Sequence, residues 1–356
     1  MKSALLWYEL YISKLAVLGF ELNPYDRCVA NKILNGKQCT VCVDDNKISH
    51  EDPAVVSNVI KKIESFFGKM VVTRGREHDF LGAKLRFCNN RTVAISMVEQ
   101  CKEAIAAFTE PIQKKANTPA RNDLFTIDDT SPRLRKERSD VFHRVVMKLA
   151  FITKRSRPDL EPAMGFLQMR VSKSTAQDWE KLRRVLEFLN GTLEDELVLG
   201  AENIQFLLSY VDASFAVHLD MKSHTGGATT FGRGIIILKS TKQKLNTRSS
   251  TDAEIVGALD YLPDTIWLLH FLKHQGYEID KSQFFQDNKS AIKIQQKGEE
   301  SGSRRTRHLD ICYFFMKDLF EQANIKVRNC KTEEILGDFF TKPLQGALDI
   351  HSCRIG

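Results

Sequence analysis

The chain has no run of about 18 consecutive apolar residues, the length a helix needs to cross a bilayer, although 42% of its 356 residues are hydrophobic. Its opening stretch, MKSALLWYELYISKLAVLGFELN, is broken by Glu9, Lys14 and Glu21, so it lacks the unbroken apolar core of a secretory signal. Both absences point to an intracellular protein without a membrane span, cytoplasmic or nuclear. Cysteine supplies no framework either. The eight cysteines at 28, 39, 42, 88, 101, 312, 330 and 353 have no paired spacing, which suits reduced thiols better than disulfides. Cys39 and Cys42 form a C-x-x-C, but no second Cys or His pair stands at zinc-finger spacing, so structural thiols are expected. A charge imbalance of one strong sign is also missing: the net charge is +7 and the pI about 8.9. The composition is that of a globular protein long enough for two or three domains.

What the chain does have is clustered basic charge. RLRKER (133–138), KRSR (154–157), KLRR (181–184), KQKLNTR (242–248) and RRTRH (304–308) concentrate Lys and Arg. Such clusters suit a polyanion, because contacts to phosphate supply most sequence-independent affinity. Each can equally be a solvated helix face.

Apolar spacing predicts a helix over 3–20, stopped by Asn23-Pro24. CVANKIL and KQCTVCV read as strands joined at Asn35-Gly36, a dipeptide that favours tight hairpins. Asp44-Asp45 punctuates a second hairpin with NKISH returning, and 53–68 reads as an amphipathic helix. Short strands are expected around 71–74, 79–88 and 92–97. Residues 116–138 are polar and carry Pro119 and Pro132, so they read as a linker. From 139 to 190 the pattern is helical, broken near Pro158 and Ser172 and stopped at Gly191. Beyond it the order becomes strand (IQFLLSYVDASF), hairpin turned at Gly232-Arg233-Gly234, long helix ended by Gly276, strand (SQFFQ), two helices and a strand (IKVRNC). That order predicts a mixed sheet flanked by helices.

Four acids fall at element ends in this second half. Asp212 closes the first strand, Glu254 lies in the first turn of the long helix, Asp287 stands between a strand and a helix, and Asp310 begins the next helix. Converged, they would repel one another unless protonated or neutralised by cations. Hard oxygen ligands suit Mg²⁺ or Mn²⁺, and two such ions about 3.5–4 Å apart hydrolyse phosphodiesters. His308 is a candidate proton shuttle. Each acid also has a purely structural reading. Thr251 to Glu254 fits a capping box, Asp287 an N-cap, and Asp310 a carboxylate facing a helix dipole.

The motifs that carry these acids are VDASF (211–215), KQKLNTRSSTDAE (242–254), QDNKSAI (286–292) and RTRHLDICYFF (305–315), followed by TEEILGDFFTKPL (332–344). In this order they resemble the ribonuclease H portion of the Pol polyprotein of copia-type retrotransposons. Upstream, LLWYELYISKLAVLGFELNPYDRCVANK and CVDD (42–45) resemble the palm of the reverse transcriptase, with Cys42 where the family has an aromatic residue. ANTPA and the stretch from SRPDLEPAMGF to EFLNGT resemble the segment that joins palm and thumb to the ribonuclease H.

The resemblance implies an α+β and α/β chain: a partial palm over 1–115, a linker over 116–138, a helical thumb or connection over 139–200, and a ribonuclease H-like five-stranded mixed sheet with a C-terminal helix over 201–356. It implies a two-metal ribonuclease H that cleaves RNA in RNA–DNA hybrids, with Asp212, Glu254, Asp287 and Asp310 as ligands of two Mg²⁺ or Mn²⁺ ions. Asp44 and Asp45 would be the remnant of a polymerase site. Lys242, Lys244, Arg248, Ser249, Ser250, Asn288, Arg305 and Arg307 would lie along the nucleic acid, and other Pol segments are implied partners. The basic helices, Arg183 and Arg184 included, are candidates to grip the hybrid. Polymerization needs fingers and a third aspartate, which the family places upstream of MKSALLWY, so a truncated element is expected. An RNA-directed DNA polymerase completed by another chain and a non-catalytic nucleic-acid-binding remnant are the alternatives.

Overall fold

The structure, a computed structural model, describes residues 2–43, 46–297 and 310–343, and of residues 2, 296, 297 and 310–315 the backbone alone. It is a mixed α and β protein in two compact units, one of residues 1–81 with 267–279, the other of 82–266 with 280–356.

The first unit opens with α1 (Lys2–Val17) and a four-stranded antiparallel sheet in the order β1 (Glu21–Asn23), β2 (Asp26–Leu34), β3 (Lys37–Cys42), β4 (Lys47–Ser49). Asn35 and Gly36 both have positive φ (51° and 73°), as a two-residue hairpin matched to strand twist requires. Helix α2 (Pro53–Phe67) starts where Asp52 accepts from the Ala54 N–H and Pro53 occupies the first turn. Its Val55, Val59 and Ile63 close the core with Tyr11, Leu15 and Val41. Cys39 is buried in that core, whereas Cys42, three residues on, points to the other face of the strand. Two thiols on opposite faces cannot close one metal site. A strand β5 (Glu77–Phe80) follows, whereas 71–74 forms none.

The second unit contains two sheets. In one, β6 (Ala83–Phe87), β7 (Val93–Ser96), β8 (Leu197–Ala201) and β11 (Gly232–Arg233) run antiparallel, with Val93 paired to Leu199. This pairing crosses the boundary expected at residue 115, because residues more than a hundred apart share one ladder. A helix α3 (Val98–Ala106) stands where none was expected, while α4 (Lys136–Thr153), α5 (Glu161–Arg170) and α6 (Ala176–Gly191) follow the predicted breaks, with a 3-10 turn at Pro158–Leu160. Thr175 and Asp178 form a capping box at the start of α6. The stretch expected as a linker, 116–138, is packed: Ala116, Ala120, Leu124 and Phe125 lie in the same core as Phe142, Leu149 and Trp179. Its prolines stop helix formation without freeing it from the core.

The second sheet has the order β12 (Ile237–Lys242), β10 (His224–Thr230), β9 (Phe206–Ser214), β13 (Lys281–Gln286), β14 (Ile325–Asn329). β9, β10 and β12 are antiparallel, while β9, β13 and β14 are parallel, giving the mixed sheet expected. Helices α7 (Ser250–His274), α8 (Lys289–Lys297) and α9 (Asp310–Gln322) accompany it. By length and composition α7 is apolar enough to span a bilayer, yet half of its most apolar window is buried inside the protein. In place of the closing helix expected at 332–344, the described part forms 3-10 turns, Thr332–Glu334 and Leu336–Phe340.

Two adjacent glycines let this sheet be covered at contact distance from both faces. A Cβ on Gly227 would fall 2.4 Å from the ring of Tyr261 on α7, and one on Gly226 would fall 2.3 Å from the carbonyl of Gly337. The strap 335–342 and α7 therefore sandwich β10. Gly226→Ala should unseat the strap and destabilise the protein by about 1–3 kcal/mol, the usual cost of overpacking a filled site. Urea unfolding measures it, and wild-type stability in that variant would show that the strap does not need the contact.

Candidate metal centre

β9 and β13 are parallel neighbours in which Lys281 pairs Phe206 and Phe285 pairs Tyr210. Continued in the same register, Asp287 comes level with Asp212 one strand spacing away, about 4.8 Å. Helix α7 supplies the third acid. A Cβ on Gly257 would lie 3.2 Å from the Ala213 side chain, so the first turns of α7 rest on the end of β9. Glu254, one turn earlier on the same helix face, reaches the aspartates. Asp212, Glu254 and Asp287 each offer one oxygen within 4.8 Å of the others.

The structural readings of these acids are taken up by their neighbours. At the start of α7, Ser249 Oγ accepts from the Asp252 N–H at 3.1 Å and Asp252 Oδ2 accepts from the Arg248 N–H at 3.2 Å. Capping therefore falls to Ser249 and Asp252, and Glu254 is free of it. Likewise Asn288, not Asp287, caps α8 by accepting from the N–H groups of Ser290 and Ala291, both at 3.0 Å. In each case the cap stands beside the acid and fixes the helix start that aims it.

Each acid is also held from behind. The Gln286 amide donates to Glu254 Oε2 at 3.1 Å and to its backbone carbonyl at 3.2 Å, while Gln295 donates to Gln286 Oε1 at 2.8 Å. Thr332 Oγ1 donates to Asp287 Oδ2 at 2.9 Å. Thr341 Oγ1, fully buried, donates to Asp212 Oδ2 at 2.7 Å. The strap that carries Thr341 is tied down through Ser240, whose Oγ donates to the Phe340 carbonyl at 2.7 Å. Because that hydroxyl proton is committed, His224 Nε2 must donate to Ser240 Oγ (2.8 Å), and His224 Nδ1 must accept from His218 Nε2 (3.0 Å). Burial pushes both imidazoles down, to about 4 for His218 and about 3 for His224, so both are neutral at pH 7.

The strap brings a further acid that the sequence reading passed over. Asp338 is near enough that its charge raises the pKa of Asp212, and it is ion-paired with Lys342. An acid followed four residues on by Lys in the final motif was the available signal; the helix expected there concealed it. Gln286 was missed too, although a polar side chain ending a strand run of SQFFQ was legible as a buried partner for something charged.

Other expected residues fall in varied places. Lys242 is paired with Asp220 (2.7 Å), and the Lys244 carbonyl accepts from Lys222 (2.9 Å). Between them Gln243 is buried and donates to Thr225 and to the Ala253 carbonyl, pinning the loop that leads into α7. Arg248 and Ser249 serve the cap through backbone N–H and side chain respectively, Ser250 opens α7, and Asn288 also donates weakly to Thr251 (3.5 Å). Asp310 is the first residue of α9, with its side chain outside the described residues. Asp44, Asp45, Arg305, Arg307 and His308 lie outside them altogether.

No family model matches the chain. Among curated proteins it is 25% identical over 345 residues, 94% of its length, to the retrovirus-related Pol polyprotein from transposon TNT 1-94 of Nicotiana tabacum. It is 24% identical over 95% of its length to the corresponding polyprotein from transposon RE1 of Arabidopsis thaliana, and 22% identical over 88% to the transposon Ty1-LR3 Gag-Pol polyprotein of Saccharomyces cerevisiae. Its homologues are retrovirus-related Pol polyproteins of copia-type transposons. The chain spans 26%, 23% and 19% of these three relatives, so it corresponds to a segment of a Pol polyprotein.

Without a bound cation, the centre is under electrostatic strain. Burial, then the charges of Asp338 and Asp287, push Asp212 up to about 6, against the favourable Thr341 hydrogen bond. Glu254 is raised well above the usual carboxylate range, first by burial and then by Asp212. A raised folded-state pKa means that the folded form holds its proton longer than the unfolded chain. Stability is therefore greatest below pH 4 as far as Asp212 is concerned, and declines as pH rises toward 6, by on the order of 2 kcal/mol. Asp212→Asn, which keeps the oxygen that accepts from Thr341, should flatten that decline in EDTA. Denaturant unfolding across pH 4–7 reads it; parallel pH profiles for both proteins would contradict the burial argument.

Proposed function

We propose that this segment is a ribonuclease H: a divalent-metal endonuclease that cuts the RNA strand of an RNA–DNA hybrid. The single observation that carries the reading is the level register of Asp212 and Asp287 on parallel strands with Glu254 above them, in the motif order that the resemblance implies. A mixed five-stranded sheet with accompanying helices supports it, as do homologues that are transposon Pol polyproteins.

Three carboxylates that form no ion pair among the described residues are a donor set for hard cations such as Mg²⁺ or Mn²⁺. Two such ions, when bound, would supply an activated water and stabilise the leaving oxygen of the phosphodiester. The protein's part is positioning. Thr341, Gln286 and Thr332 each hold one oxygen of Asp212, Glu254 and Asp287 in place, leaving the other oxygens for ligation. The fourth carboxylate is Asp310 by the motif or Asp338 by its position beside Asp212. Lys342, paired with Asp338, sets a cation at the rim where substrate phosphate would approach.

Cleavage of labelled RNA in a hybrid with Mg²⁺ or Mn²⁺ tests the proposal. Asp287→Asn should abolish it, and a folded wild-type chain that binds hybrid but leaves it uncut would leave only a nucleic-acid-binding segment. Asp310→Asn and Asp338→Asn divide the fourth role: the residue whose substitution removes cleavage holds it. Thr341→Val should lower activity by about 10–100-fold, the cost typical of losing an outer-shell partner. Cleavage at the wild-type rate in that variant would remove the strap from the account.

A further inference from the structure

Apart from the acidic centre, the second unit has a cleft of about 760 Å³ between residues 111–124 and the outer face of α6. That volume is in the range of ordinary ligand sites. Six cations and three acids line it, and the cations are held in two different ways.

Arg183 is neutralised: it pairs with Glu110 and lies 3.3 Å from Glu180. Lys181 and Arg184 form no ion pair among the described residues. Lys181 Nζ donates to the carbonyls of Leu124 (2.8 Å) and Thr126 (2.6 Å), and Arg184 donates to the Thr118 carbonyl and hydroxyl, both at 3.0 Å. These partners are neutral. Carbonyls fix the geometry of a cation without cancelling its charge, so the ordering entropy of both side chains is already spent while their fields remain. Burial lowers the pKa of Lys181, although the charges of Asp178 and of Asp123 in the cleft wall act to raise it. At the rim, Lys114, Lys115 and Arg121 are exposed, and none forms an ion pair among the described residues. The arrangement is two fixed positive charges inside and three exposed ones at the rim.

We propose that this cleft binds the phosphates of a nucleic-acid strand, as an anchoring site separate from the acidic centre. The fixed pair supplies a preorganised phosphate seat, and the three rim cations follow the polyanion through counterion release. Arg183, one of the residues expected to grip the hybrid, is not part of it, because its charge is spent on Glu110. The choice of an RNA–DNA hybrid as the strand's source rests on the nuclease reading; the phosphate chemistry does not.

The test is binding of a fluorescent RNA–DNA hybrid to the full chain in EDTA over a salt series. The native protein is compared with a Lys114→Ala/Lys115→Ala/Arg121→Ala variant, substituted at exposed positions and checked for its fold by circular dichroism. At low salt the variant should bind at least about tenfold more weakly, with a log–log salt slope smaller by about 2–3. Inorganic phosphate at matched ionic strength should compete with hybrid on the native protein. Unchanged affinity and slope in the variant would overturn the proposal. So would loss of phosphate competition alone with hybrid binding intact, which would mark a small-anion site. Because binding is read without metal, a native chain that never cleaves, yet loses hybrid binding in the variant, would remove the nuclease reading and retain the cleft.

Discussion

Mutual repulsion of buried carboxylates is the constraint around which the second unit is built. Register alone sets Asp212 and Asp287 side by side, and the contact of Gly257 with Ala213 lowers Glu254 onto them. Nothing in that arrangement favours folding in itself. Removing like charges from water raises their proton affinity, so the centre needs support from its surroundings or a cation. The surroundings supply neutral donors to each acid: Thr341 to Asp212, Gln286 and the Ala213 N–H to Glu254, and Thr332 to Asp287. Neutral donors orient carboxylates without cancelling the negative potential that attracts a divalent ion.

The strap shows how the sheet is adapted to that need. Gly226 stands opposite Asp212 across the β9–β10 ladder, and its missing side chain is the space that Gly337 and Thr341 occupy. The Ser240 hydroxyl and the two neutral histidines behind it fix the Phe340 carbonyl from the other side. The segment that carries Thr341 thereby completes a site whose first acid, Asp212, lies 129 residues earlier. The region 332–343 is part of the centre's structure and not an appendage to it.

Much of this was legible in the sequence where the signal is local. Asn35-Gly36 marked its hairpin, the apolar spacing of 53–68 marked a helix, Pro158 and Gly191 marked breaks, and the acids could be assigned to strand and helix ends. What was not legible depended on distant partners. No periodicity reveals that β7 pairs with β8, or that Leu124 and Phe125 bury a stretch whose prolines and charges read as linker. Capping was misassigned by one or two residues because Ser249 and Thr251 compete for the same role and only the backbone decides between them. Asp338 was hidden because an acid in a helix-like run attracts no notice until a strand is found beneath it. Arg183 and Arg184 look identical in sequence and differ only in whether the partner is Glu110 or the Thr118 carbonyl.

Asp212, Glu254 and Asp287 are gathered as a divalent-cation site, and burial raises the proton affinity of Asp212 and Glu254. Calorimetric titration of Mn²⁺ into the metal-free chain at pH 6, in buffers of differing ionisation enthalpy, measures both binding and the protons it displaces. Asp212 pushed up to about 6 and Glu254 raised well above the usual carboxylate range predict saturable binding with net proton release that shrinks as pH rises. A folded chain that takes up no Mn²⁺, or takes it up without releasing a proton at pH 6, would contradict it.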